Sequence, residues 1–414
     1  MKILNFGSCN IDYVYNVDHI VIPGETLPST SLELFPGGKG LNQSIAVARA
    51  GGEIYHAGCI GEDGEMLRDV LMGDGVDISL LKTRKGQSGH AIIQLSSEGQ
   101  NSILLYSGAN GSITEDFIDE VLGNFERGDF IILQNEINNI ELIIEKASRK
   151  GMRIVFNPAP FSVNLKNIDY NNVSYLILNE IEARGLGEKD SPEENLKELK
   201  SLYPDTNIVL TIGEKGCIYS DSYVTFYHPA FSIDVVDTTA AGDTFIGYFI
   251  AEISKGVSTT DAIKTATGAS ALTVSKKGAS TSIPFATDVV NALKNLKAAE
   301  TLDRREEEIK SRINEYIDGN ITDARLGELA HRLGYSEAYM GRLVRKTLGE
   351  SFSKVLLDRR CVLAERLLSE SDLSVEEIIS RVGYENESFF RSIFKKKHGV
   401  SPYQYKKQIK RGGI

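Results

Sequence analysis

Asp237-Thr238-Thr239-Ala240-Ala241-Gly242-Asp243 runs directly into the apolar stretch 244–253. Small residues open a helix at this point, so backbone N–H groups face outward unobstructed. A helix N-terminus carries partial positive charge and suits a phosphate. Asp243, in the first turn, has two readings. It is either a carboxylate favoured by the helix dipole or a general base that takes a proton from an attacking hydroxyl. Upstream, Pro36-Gly37-Gly38-Lys39-Gly40-Leu41-Asn42-Gln43 precedes a second helical stretch at 44–50. Its glycines permit close backbone approach to a ligand, and Asn42 offers both a donor and an acceptor. This segment fits neither the GxxxxGK[ST] phosphate loop nor the GxGxxG dinucleotide fingerprint. Taken alone it is also compatible with a simple tight turn.

Around these segments, apolar strand candidates at 2–6, 130–134, 153–156, 175–178 and 208–211 alternate with helical stretches at 40–50, 137–150 and 192–202. That rhythm predicts an α/β fold, a mostly parallel sheet covered by helices on both faces. Two pairs of stretches differ: 11–19 with 29–35, and 89–97 with 101–107, the latter turning at Ser97-Glu98-Gly99-Gln100. They read as antiparallel hairpins that form a small appended sheet. After residue 296 no strand pattern remains. Residues 297–309 are polar and rich in helix formers, and read as a helical linker. The expected organisation is therefore 1–296, a linker at 297–309, and an all-α part at 310–414.

The bulk properties agree. A chain of 414 residues is long enough for two or more domains. With 41% hydrophobic and 25% charged residues it is neither disordered nor collagen-like. No apolar run approaches the roughly 18 residues of a membrane span, and the N-terminus turns polar too early for a signal peptide. Cys9, Cys59, Cys217 and Cys361 lie far apart with no CxxC pair. They read as reduced thiols of a cytoplasmic protein without a membrane partner. The net charge of -11 is uneven: residues 303–414 hold 22 Lys+Arg against 18 Asp+Glu, the remainder 24 against 39. A mildly basic tail on an acidic body points to two parts with different partners.

Six motifs occur in order: Gly7-Ser8-Cys9-Asn10-Ile11-Asp12, residues 37–43, Asn179-Glu180-Ile181-Glu182, Thr211-Ile212-Gly213-Glu214-Lys215-Gly216, residues 237–243, and Lys277-Gly278-Ala279 with Ser282. Together, over about residues 1–290, they resemble the ribokinase family of carbohydrate kinases, the phosphofructokinase B type. The resemblance implies roles. Asn10, Asp12, Gly38, Lys39, Asn42 and Glu136 would hydrogen-bond sugar hydroxyls. Asp243 would be the catalytic base, with backbone N–H groups of Ala240, Ala241, Gly242 and Asp243 as an anion hole. Asn179 and Glu182 would act through Mg²⁺ and its waters. Thr211, Gly213 and Gly216, with Asn179, would line the ATP site. Asp237 and Thr239, with Thr273, Lys276, Gly278 and Ser282, would hold K⁺. The hairpin strands would form a lid that excludes water and mediates a homodimer. The sugar set looks most like that for ribose; a nucleoside or another furanose is the alternative substrate. Phosphoryl transfer needs positioning and charge neutralisation more than covalent chemistry, which suits these residue types. As isolated residues, Glu136, Glu182 and Lys39 would be solvated surface charges.

The tail contains a repeat. Arg332-Leu333-Gly334-Tyr335 recurs as Arg381-Val382-Gly383-Tyr384, and Leu348-Gly349-Glu350-Ser351 as His398-Gly399-Val400-Ser401. In the first copy Leu326, Leu329, Ala330 and Leu333 make an apolar helix face that Gly334 stops. Ser336 then caps a second helix, with Tyr339, Leu343 and Val344 inward and Arg342, Arg345 and Lys346 outward. In the second copy Val375, Ile378, Ile379 and Val382 make the face, Gly383 the turn and Asn386 the cap. There Phe389, Phe390, Ile393 and Phe394 read as packed, with Ser388, Arg391, Ser392, Lys395 and Lys396 outward. Helix, glycine turn and basic second helix make a helix-turn-helix, whose second helix enters the major groove. Two copies joined by a long helix at 352–368 closely resemble the AraC-type DNA-binding domain, over about 306–408. Base readout would fall to Ser336, Glu337, Arg342 and Arg345, and to Glu387, Ser388 and Arg391. Lys395, Lys396 and Arg345 would meet phosphates of an operator duplex. Gly341 departs from the family, where a small polar residue is usual, and removes one possible base contact. The combination implies an ATP-dependent sugar kinase whose sugar or nucleotide occupancy biases DNA binding. Its alternative is a transcription factor in which a kinase fold senses sugar without catalysis.

Overall fold

The computed structural model describes residues 1–299 and 302–410 except 334, 372 and 385; side chains are described from 309 to 409 in the second stretch. The chain divides into two compact units, Met1–Ala299 and Glu300–Ile414.

The first unit holds thirteen strands: β1 (Ile3–Phe6), β2 (Asn10–Val17), β3 (Ser31–Gly37), β4 (Ile54–Ile60), β5 (Leu81–Thr83), β6 (Gly89–Ser96), β7 (Asn101–Tyr106), β8 (Phe130–Gln134), β9 (Arg153–Asn157), β10 (Tyr175–Asn179), β11 (Asn207–Thr211), β12 (Gly216–Ser220) and β13 (Thr225–Pro229). Nine form one sheet in the order β13-β12-β11-β10-β9-β8-β1-β4-β5. From β5 to β11 all neighbours are parallel; β12 and β13 finish the sheet antiparallel. Alternate residues feed opposite cores. Leu4, Phe6, Ile131 and Leu133 face one, and Ile3, Phe130, Ile132 and Val155 the other. Burial on both faces explains why these strands read as continuous apolar runs. β4 escaped that reading because His56, Gly58 and Cys59 interrupt its apolar pattern.

The remaining four strands form the separate sheet β3-β2-β6-β7. β2 pairs antiparallel with β3, and β6 with β7, while β2 and β6 join the two hairpins in parallel. Because β2 starts four residues after β1 ends, this lid grows from the C-terminal edge of the main sheet. Ligands of open α/β sheets bind at that edge.

Residues 297–299 are not helical, contrary to the linker reading. Phe231 bridges Ala298, Ser232 N–H donates to Lys297 O at 2.9 Å and Ala299 N–H to Ala230 O at 2.7 Å. Unpaired backbone groups past β13 are satisfied this way, and that outweighs the segment's helix propensity. Residues 300 and 301 lie outside the described residues; helix Leu302–Gly319 follows.

Every described secondary-structure element of the second unit is a helix, and the unit has two cores, one around Ile313, Leu329, Met340 and Val344, the other around Cys361, Ile378, Phe390 and Phe394. Helix Phe352–Glu370 contributes to both. Gly334, read as a helix stop, lies outside the described residues. Two inward assignments are corrected: Tyr339 is 44% exposed and Phe389 55%, while Met340 and Phe390 are fully buried. The inward stripe runs Met340, Leu343, Val344 and Phe390, Ile393, Phe394, spaced i, i+3, i+4. Tyr339 and Phe389 precede it by one residue. They pack instead at its edge, on Tyr335 and Tyr384, with ring centroids 5.1 and 6.2 Å apart. Among the described residues no helix is long and apolar enough to cross a membrane. All four cysteines are buried and unbridged.

Candidate functional site

Helix Ala241–Ser254 starts after Ala240, whose φ of 60° is left-handed. A non-glycine residue costs of order 1 kcal/mol in that conformation, and such residues cluster at functional sites. No side chain caps this helix. Thr244 N–H donates to Ala240 O at 2.8 Å, and Ala241 N–H to Thr238 O at 3.3 Å. The N–H groups of Gly242 and Asp243 have no acceptor among the described residues. A Cβ at Gly242 would meet nothing within 4 Å, so the helix start stands open.

The Asp243 carboxylate is buried at this opening. Gln43 Nε2 donates to its Oδ1 at 2.9 Å, and Asn42 Nδ2 to its Oδ2 at 3.3 Å. Lys39 stands close by. The charge of Asp243 foremost, with those of Glu136 and Glu182, raises its ammonium pKa against the opposing effect of burial. Lys39 is thus a central cation among three carboxylates.

The candidate sugar residues gather at the lid root. Glu136 Oε2 accepts from Lys39 N–H at 3.0 Å and from the Ser8 hydroxyl. Burial pushes the Glu136 carboxyl up, opposed by the Lys39 charge. Burial, with the Glu136 charge second, pushes Asp12 up to about 7. Asn10 Oδ1 accepts from Asn110 Nδ2 at 2.7 Å, and Asn110 also clamps both backbone groups of Cys9. Gly38 has φ 97°, and a Cβ there would sit 3.0 Å from Asn10 N. Asn110 was missed in the sequence; it lies in a short turn, Gly108–Gly111, with no pattern to mark it.

On the other side of Asp243 a cleft of about 200 Å³ is lined by Lys39, Asn179, Glu182, Thr211, Ala240, Ala241 and Gly242. Asn179 and Glu182 form a capping box at the end of β10. Asn179 Oδ1 accepts from Ile181 and Glu182 N–H at 2.8 and 3.0 Å, and Glu182 accepts from Asn179 N–H at 2.8 Å and Nδ2 at 3.0 Å. Burial raises the Glu182 carboxyl above its usual range. Gly213 and Gly216 shape the turn between β11 and β12 with φ 58° and 118°. A Cβ at Gly216 would lie 2.1 Å from His228 O.

Asp237 ties two loops together. Its Oδ1 accepts from Thr239 N–H at 2.9 Å and Oγ1 at 2.6 Å, and its Oδ2 from Gly278 N–H at 3.0 Å. Burial works to raise its pKa, but these bonds and Lys277 hold it below the ordinary range, so it stays anionic. Ser282 Oγ bonds Ala279 O at 2.8 Å. The Thr273 hydroxyl faces the helix interior, bonding Ala269 O at 3.1 Å and Thr244 Oγ1 at 3.0 Å.

In the tail, Ser336 and Asn386 cap helices Glu337–Leu348 and Glu387–His398, accepting from Tyr339 N–H at 3.3 Å and Phe389 N–H at 3.0 Å. Aligned on these caps, Gly341 of the first copy stands where Arg391 stands in the second. Arg391 is held by Glu376 at 2.6 Å and by Glu387 at 3.1 Å, so two expected base readers pair with each other. Ser388, Lys395 and Lys396 are exposed, as are Ser336, Glu337, Arg342 and Arg345. The Arg342 guanidinium lies 5.9 Å from the Tyr339 ring centre.

Comparison with known proteins fits both units. The pfkB family carbohydrate kinase profile matches residues 1–286, and a helix-turn-helix domain profile matches residues 329–408. Ribokinase of Haemophilus influenzae is 32% identical over 298 residues, covering 70% of this chain and 97% of that protein. A crystal structure of ribokinase from Cryptococcus neoformans in complex with ADP superimposes with a TM-score of 0.62 at 33% identity, over 70% of this chain and 99% of that one. Arabidopsis thaliana ribokinase complexed with ribose and ATP gives a TM-score of 0.62 at 26% identity, over 70% and 98%. This chain therefore belongs to the pfkB family of carbohydrate kinases, as a ribokinase-like enzyme that carries an AraC-type helix-turn-helix domain at its C-terminal end.

Proposed function

We propose that the first unit phosphorylates ribose from ATP and that the second binds an operator duplex in a manner that depends on sugar or nucleotide occupancy. One observation carries the catalytic part. Asp243 and two unsatisfied N–H groups converge beside the carboxylate and amide cluster at the lid root. Asp12, Glu136, Asn10 and Asn42 bind the sugar hydroxyls, with carboxylates accepting and amides doing either. Asp243 takes the proton of the primary hydroxyl through Oδ2. The deprotonated hydroxyl oxygen of the sugar bonds the γ-phosphorus as the bond between that phosphorus and the β-phosphate oxygen of the departing ADP breaks. Gly242 and Asp243 N–H groups and the Lys39 ammonium stabilise the charge on the transferred group.

Among the described residues no three His, Cys, Asp or Glu side chains converge as a metal cage. Glu182 would hold Mg²⁺ through its waters beside the ATP phosphates, both Asn179 polar atoms already serving the capping box. Bound there, it neutralises phosphate charge. The anionic Asp237 and its loop partner Gly278 suit K⁺, whereas the Thr273 hydroxyl points elsewhere. We assign a homodimer through the lid, whose strands expose Leu32, Leu34, Ile103, Leu104 and Tyr106, with Leu104 68% exposed.

The test is ATP turnover with Mg²⁺ and K⁺ against pentoses, hexoses and nucleosides. Selective turnover of ribose, lost in Asp243→Ala, is expected. No turnover, with ligand-dependent thermal stabilisation, overturns the enzyme in favour of a sugar sensor. The DNA part is tested by duplex affinity with and without ribose and nucleotide; equal values defeat the coupling.

A further inference from the structure

We propose that Gln43 is the positioning residue of Asp243, oriented by a buried chain of carboxamides whose direction two backbone carbonyls fix. Asn5 Nδ2 donates to Gly40 O at 2.8 Å. A backbone carbonyl only accepts, so Asn5 Oδ1 must point away from Gly40. It accepts from Gln134 Nε2 at 3.0 Å, and the same nitrogen donates to Gln43 Oε1 at 2.8 Å. The Gln43 carbonyl is thereby committed to Gln134, and its amino group turns to Asp243 Oδ1 at 2.9 Å. At the far end Asn157 Nδ2 donates to Ile177 O at 3.0 Å, which leaves Asn157 Oδ1 to accept from Gln43 Nε2 at 3.4 Å. Flipping Gln43 would set oxygen against the Asp243 carboxylate and amino group against the Gln134 amino group. The polarity of the chain therefore has one solution.

Asn5, Gln43 and Gln134 are wholly buried, and Asn157 nearly so. They come from β1, helix Lys39–Arg49, β8 and β9, the rigid elements beneath the site. Gln134 Oε1 has no partner and is buried. An apolar side chain would fill that position without the cost of an unsatisfied oxygen. What it would lack is the amino group that holds Gln43. With Oδ1 engaged at 2.9 Å and Oδ2 only at 3.3 Å from Asn42, the chain presents Oδ2 as the proton acceptor. Gln43 touches neither sugar nor nucleotide in this scheme; it acts through Asp243.

The experiment uses the full chain with ribose and ATP. Gln43→Leu is expected to lower kcat about 100-fold, with both KM values within about threefold, since misorientation of a reacting group has effects of that size. In an Asp243→Asn background the same substitution is expected to change nothing further. Gln134→Leu, which frees Gln43 to flip, is expected to lower kcat about tenfold. Gln43→Glu keeps the shape and is expected to add an ionisation to the kcat–pH profile that the parent lacks. A rise in KM at unchanged kcat, or an equal loss in the Asp243→Asn background, overturns the proposal. Should Gln43→Leu fail to fold, a Gln43→Glu profile that superimposes on the parent's overturns it. The inference rests on Asp243 as the base. Full turnover by Asp243→Asn would remove that reading, whereas loss in Asp243→Asn with none in Gln43→Leu removes only the positioning role.

Discussion

The two units put polar chemistry to work in opposite ways. In the first, the groups that matter are buried, few, and fixed by partners far away in sequence; Asp243 is held by Asn42 and Gln43, about 200 residues earlier. In the second, Arg342, Arg345, Lys395 and Lys396 stand exposed on two short helices, and tertiary structure only has to present those helices. A kinase must fix one transition state, so its donors need pre-organisation. A reader of a charged duplex gains most of its affinity from cations that need only be in reach.

The sharpest way to break this contrast is at Asp243. Asp243→Ala is expected to lower turnover by about 10³-fold, the scale of a general base, with duplex affinity unchanged in the absence of ligands. Steady-state kinetics and a gel shift on one preparation check both halves. Next in size is a pH effect confined to the first unit. Asp12, pushed up to about 7 by burial and the Glu136 charge, loses its capacity to accept a hydroxyl proton as pH falls through that value. KM for the sugar is expected to rise about tenfold per pH unit below it, and a KM flat from pH 8 to 6 would refute this. The sign for stability is opposite. A carboxyl raised by burial destabilises the fold when charged, so this contribution worsens as pH rises from the unfolded value near 4 through about 7.

Within the tail the comparison moves to the two copies. Arg345→Ala is expected to weaken binding to a duplex selected from a random library about tenfold, the loss of one good contact. Arg391→Ala is expected to weaken it less, because Glu376 and Glu387 already engage that guanidinium. Lys395→Ala and Lys396→Ala are each expected to reduce the salt slope of binding by about one, read from affinity against salt concentration. The smallest effect is at Gly341, where a Cβ would meet only Leu326 Cδ2 at 3.5 Å. Gly341→Ala is expected to stabilise the tail by about 1 kcal/mol and leave turnover untouched, visible as a raised melting temperature of the tail transition.

These contrasts track how far each region was legible. The central strands declared themselves because both their faces are buried, while β4, broken by His56 and Gly58, did not. Helix 192–202 was read with its observed bounds, and the structure shows Ser191 capping it and Pro192 at its first position. In the tail, periodicity located both helix-turn-helix copies, yet it placed Tyr339 and Phe389 one residue off the inward stripe. Tyr339 and Phe389 are bulky aromatics, so residue type alone does not separate them from the buried phase that Met340 keeps in the first copy and that Phe390, which the sequence also placed inward, keeps in the second.

By itself, the sequence determined the order of the two units, the parallel sheet, the lid hairpins, the family and the principal catalytic candidates. Each of these is written in local pattern: strand runs, glycine turns, caps and ordered motifs. Only the tertiary structure decided which polar groups meet. Asn110 reaches Asn10 across 100 positions, Gln134 reaches Gln43 across 91, and residues 297–299 close on the chain beyond β13 rather than beginning a helix. Carboxamides and backbone groups carry no periodicity that announces a distant partner. Their bonds are set by geometry once the strands are stacked, and a buried donor or acceptor left unpaired is costly enough that the fold settles each one.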